Sequence, residues 1–93
     1  MAGPVQSELR ERLEHAFASH DIEIEDQSAR HAGHAGSRPQ GESHFAVIIT
    51  GPSFAGQSRV ARQRAVIAAV GDLMQREIHA LSITARTPEE ARG

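Results

Sequence analysis

The chain has 93 residues, no cysteine, a formal net charge of −2 and an isoelectric point near 6.3. That length suits one domain, residues 1–93, burying roughly 60–65% of its unfolded surface and folding without staples. The lack of thiols excludes disulfides, a cysteine nucleophile and a cluster ligated wholly by the chain's own sulfur. The acidic balance lacks the footprint of a strongly basic nucleic-acid binder.

Taken in chain order, Pro4 suits a helix start, and Val5, Leu9, Leu13, Ala16 and Phe17 recur on one helical face. Asp21 to Glu25 alternates polar and apolar residues, the mark of a half-buried strand. Residues 28–42 are rich in Gly, Ser and His and read as a long flexible loop. Hairpin connections usually take about 2–5 residues, so a loop of this length is either disordered or functional. Ser43 to Thr50 is the second expected strand, with Phe45, Val47 and Ile49 on one face, ended by Gly51-Pro52. Ser58 is a plausible N-cap for a helix whose Val60, Ile67, Val70 and Met74 lie near one line. Its first turns carry Arg59, Arg62 and Arg64. Ile78 to Thr84 reads as a third strand, and Thr87-Pro-Glu-Glu90 as a capping box that opens a short last helix. The expected fold is α+β in the order α-β-β-α-β-α.

No stretch approaches the roughly 18 apolar residues of a membrane span. The opening Met-Ala-Gly-Pro also lacks a signal-peptide pattern, so no membrane association is expected and the cytoplasm is the expected compartment. No nucleophile–base–acid set and no phosphate-binding Gly-Lys pair is present, so no enzymatic activity is expected.

Three segments stand out: Ser28 to Gly36 (Ser-Ala-Arg-His-Ala-Gly-His-Ala-Gly), Gly41 to Val47 (Gly-Glu-Ser-His-Phe-Ala-Val) and Arg76 to Thr84 (Arg-Glu-Ile-His-Ala-Leu-Ser-Ile-Thr). With Phe54-Ala-Gly56 and Arg59-Val-Ala-Arg62 between the last two, the chain from about residue 5 to 90 resembles the BolA family, in its histidine type. The resemblance implies a three-stranded mixed sheet covered by helices on one side, with class II KH-like topology. The KH likeness stops at shape, because Gly33 to Gly36 joins two strands where a KH domain's nucleic-acid loop joins two helices.

On pattern alone, His79 shares a strand face with Leu81 and Ile83, at the mouth of the core. The resemblance instead implies a ligand role for His79 in a two-iron two-sulfur cluster shared with a monothiol glutaredoxin. The second ligand would be His31 on the loop, placed by its distance from Asp26-Gln-Ser28, with His34 as the alternative. Sulfur would come from the glutaredoxin cysteine and from glutathione. No cofactor is expected in the isolated protein, which would be a monomer alone and a heterodimer with its partner. Neutral imidazole is a good ligand for iron and replaces thiolate in mixed-ligand clusters. Zinc held by His31 and His34 is disfavoured, since a four-ligand site would have to be completed without cysteine. His44 is opposite in alternation to Phe45 and is expected to pack or cap on the other face of the sheet.

The resemblance also carries an alternative function, transcriptional regulation of stress or morphology genes through DNA binding. In that reading Arg59, Arg62 and Arg64 contact phosphates, or equally an acidic partner. Gln63 stands where many family members have His.

Overall fold

The computed structural model describes residues 3–27 and 44–93, so the expected loop, with His31 and His34, lies outside the described residues. Helix α1 spans Pro4–Ala16 with proline in its first turn. Its apolar stripe places Leu9 and Leu13 fully in the core, and Phe17 follows at its end. Strand β1 (Asp21–Asp26) runs antiparallel to β2 (His44–Thr50), which runs parallel to β3 (Ala80–Arg86), giving a mixed sheet of order β1-β2-β3. Among the described residues no helix is long and apolar enough to cross a membrane.

The period-two pattern of β2 decides which face is covered. Phe45, Val47 and Ile49 are buried, and Leu9, Leu13, Val66, Val70, Leu73 and Ile78 join them in one core. His44, Ala46, Ile48 and Thr50 point the other way and are half-buried. The register sets Ile22 and Ile24 of β1, and Leu81 and Ile83 of β3, on the core face.

The second helical region differs from its expected form. Ser58 caps it as expected, accepting the Ala61 N–H at 3.1 Å. However, α2 (Arg59–Val70) stops at Gly71, whose φ of 63° lies in the left-handed region, and a separate short helix α3 (Leu73–Arg76) follows. The buried line is Val66, Val70 and Leu73, whereas Val60 and Ile67 are 57% and 47% exposed. The reason is polar. The face of α2 turned toward β3 carries Arg62 and Gln63, which reach that strand's carbonyls, and this leaves Val60 and Ile67 about 100° around the helix from the sheet. Beyond β3, Thr87 and Glu90 form the expected capping box of α4 (Pro88–Arg92).

Two local features follow from aromatic packing. A single 3₁₀ turn over Pro52–Phe54 drops Phe54 into the core, 5.5 Å from the Phe17 ring centroid. The His20 ring lies against Phe54 and over Gly51, bonded to Ser53 Oγ at 2.6 Å and to the Ala18 carbonyl at 3.1 Å. A side chain at position 51 would overlap that ring, which accounts for glycine there although its φ of −178° suits any residue.

Candidate histidine site at the sheet end

His79 does not lie on β3. The β2–β3 ladder begins at Ala80, opposite His44, so His79 sits in a bend one residue earlier and is exposed. Strand alternation therefore does not set its direction, and the expected place at the mouth of the core is not the one observed. Its flanks are nevertheless fixed. Ile78 is buried and donates its N–H to the Leu73 carbonyl at 2.9 Å, and Ala80 is held in the ladder. Among the described residues, no hydrogen bond reaches the His79 ring.

His44 is held on the opposite side. It opens β2, and its carbonyl accepts the Gln27 N–H at 2.7 Å, extending the β1–β2 pairing by one residue. Its outward alternation from Phe45 places its ring beside that of His79, with centroids 6.2 Å apart and planes at 67°. Two histidines 35 positions apart in sequence thus meet at one end of the sheet. Strand register is the signal that could have found this pair, because a ladder beginning at His44↔Ala80 makes His79 the next residue along.

The three arginines of α2 separate in role. Arg59 and Arg64 are exposed. Arg62 faces the sheet, where its guanidinium pairs with Glu90 at 2.7 Å, donates to the Ala85 carbonyl at 3.1 Å and lies 6.0 Å from the Phe54 ring centroid. Gln63 donates to the Ile83 carbonyl at 3.0 Å. Together Arg62 and Gln63 cover two carbonyls of β3, an edge strand that would otherwise present them for pairing with another chain.

Arg12 binds Glu8 at 2.7 Å, Asp72 at 2.9 Å and the Val70 carbonyl at 2.7 Å, tying α1 to the α2–α3 junction and satisfying a terminal carbonyl of α2. Hydrogen bonds donated by Arg12 to Glu8 and then to Asp72 raise the Arg12 pKa. Bonds from Arg76 and then Arg12 hold the Asp72 carboxyl below its ordinary range. Glu90 is lowered chiefly by Arg62 and next by the Thr87 N–H. Among the described residues, no group of three or more His, Cys, Asp or Glu side chains is placed to hold a metal ion. What the site offers chemically is a pair of imidazoles on a fixed backbone.

Comparison with known proteins agrees with this architecture. The chain is 41% identical over 86 residues to SufE-like protein 1, chloroplastic/mitochondrial, of Arabidopsis thaliana, covering 88% of this chain and 23% of that protein. It is 37% identical over 91 residues to BolA-like protein 1 of Mus musculus, covering 98% of this chain and 64% of that one. It therefore spans less than two thirds of the length of either relative. The solved BolA domain of SufE1 from Arabidopsis thaliana superposes with a TM-score of 0.82 at 38% identity, over 97% of this chain and 99% of that domain. The profile of the family described as BolA-like protein matches residues 13–90, and the chain belongs to that family.

Proposed function

We propose that this chain is a non-enzymatic adaptor of iron–sulfur cluster trafficking that joins a monothiol glutaredoxin. His79, with a loop imidazole from His31 or His34, co-ligates a two-iron two-sulfur cluster whose sulfur ligands come from the glutaredoxin cysteine and glutathione. The observation that carries the reading is His79 itself: an exposed imidazole on a stem anchored by Ile78 and Ala80, in a chain without cysteine. The donor set fits such a cargo, since imidazole ligates iron while the missing thiolates require a second molecule. Family membership supports the same reading.

The DNA-binding alternative has less support. With Arg62 committed to Glu90 and Ala85, the basic start of α2 keeps Arg59 and Arg64 as exposed cations, a small set for phosphate contact in an acidic chain.

The test is a visible-absorption titration of cluster-loaded monothiol glutaredoxin, with glutathione, by this protein. A changed cluster spectrum saturating near one to one is the expected result. An unchanged spectrum with no complex on gel filtration would overturn the reading.

A further inference from the structure

The His44 and His79 rings lie in contact at one end of the sheet. We propose that these two residues form a two-imidazole site for one divalent transition-metal ion of the zinc class, bound by the protein alone and without the loop histidines.

With metal–nitrogen bonds of about 2.0–2.1 Å and a ring radius of about 1.1 Å, two imidazoles sharing one ion have centroids no more than about 6.4 Å apart. The observed separation of 6.2 Å lies inside that limit. An approach of about 1 Å takes the nitrogen–metal–nitrogen angle from nearly linear to tetrahedral, the geometry zinc adopts.

The backbone at both positions is fixed by the sheet: His44 through Gln27 on one side and Ala80 on the other, and His79 between buried Ile78 and the first ladder residue. An ion bound there would order the side-chain torsions of both rings. His79 is exposed at a bend, so its ring has room to turn toward an ion, and water can complete the coordination shell. Imidazole suits Zn²⁺, Ni²⁺ and Cu²⁺, and with only two protein donors the site is open and exchangeable, unlike a closed structural zinc centre.

The occupied His79 imidazole would be withdrawn from any other metal, so a divalent ion here would compete with cluster ligation. The two readings are separable, because ion binding is measured with no glutaredoxin, glutathione or cluster present.

The experiment is titration of the isolated protein with Zn²⁺, followed by calorimetry and by histidine ring signals in NMR. Wild type should bind one ion saturably, with shifts at His44 and His79. His44→Ala and His79→Ala should each weaken binding at least about tenfold, because closing the second bond of a chelate is an intramolecular step. The double variant His31→Ala/His34→Ala should bind as wild type does. His44→Gln, checked for a native amide spectrum, separates lost ligation from lost folding and should weaken binding equally. Undiminished affinity in a folded His44 variant, or shifts and loss of binding that track His31 and His34, would overturn the proposal.

Discussion

Arg62 and Glu90 meet in a two-pronged ion pair, with Nη1 2.7 Å from Oε1 and Nη2 3.2 Å from Oε2. The arginine is 14% and the glutamate 48% exposed, so the pair closes over the sheet edge with Arg62 inside. Glu90 is also the capping residue of α4, accepting the Thr87 N–H at 2.9 Å. One contact therefore joins α2, the end of β3 and the last helix.

Arg62→Ala should destabilise the fold by roughly 1–3 kcal/mol, since it removes a charged donor from the partly buried Ala85 carbonyl. Arg59→Ala and Arg64→Ala, both at exposed positions, should stay within about 0.5 kcal/mol of wild type. Urea unfolding of the three variants checks this. A stable Arg62→Ala protein would show that the ion pair is ornamental.

Acid should loosen the same contact. Glu90 and Asp72 have folded pKa values below their ordinary ones, so each contributes stability that is present above the unfolded carboxylate pKa of about 4 and lost as pH falls through the lower folded value. The Tm difference between wild type and Glu90→Gln should be constant from pH 7 to pH 5 and shrink below pH 4. A difference that persists at pH 2 would point to a role for Glu90 unrelated to its charge.

Gly51→Ala should destabilise by about 1–3 kcal/mol, the usual range for overpacking, because the new methyl group overlaps the His20 ring. Combining it with His20→Ala should recover part of that loss, as expected for two residues that compete for one space. Gly71→Ala acts differently: it forces alanine into φ 63° and brings its Cβ close to the Arg12 guanidinium, so no neighbouring truncation to a small side chain should restore it fully. Thermal melts of the three glycine and double variants separate the two mechanisms.

Much of this fold was legible because its elements carry strong local signals. Pro4, Ser58 and the Thr87–Glu90 box mark helix starts that the structure keeps, and the alternation of Phe45, Val47 and Ile49 names the core face of β2 correctly. Local signals fall short where polar contacts distant in sequence decide orientation. Val60 and Ile67 lie near one apolar line with Val70 in the sequence, yet Arg62 and Gln63 turn α2 so that Val66 and Val70 pack and Val60 and Ile67 stay exposed. The break at Gly71 is coupled to Arg12, which closes the α2 terminus from 58 residues away. For the candidate site, His79 was visible from its motif, but its neighbour was not. His44 becomes its partner only once the parallel register of β2 and β3 is known, and no local pattern encodes a parallel pairing across an intervening helix.

Nitrogen ligation of a shared cluster by His79 is the core of the proposed function. Its most direct test is electron–nuclear double resonance on the reduced cluster in the complex of monothiol glutaredoxin, glutathione and this protein labelled with ¹⁵N at histidine. Strongly coupled ¹⁵N from two imidazoles is the expected result, with one coupling lost in His79→Ala and the other in the loop variant His31→Ala or His34→Ala. A reduced cluster that shows no histidine coupling, or the same couplings in His79→Ala as in wild type, would contradict it.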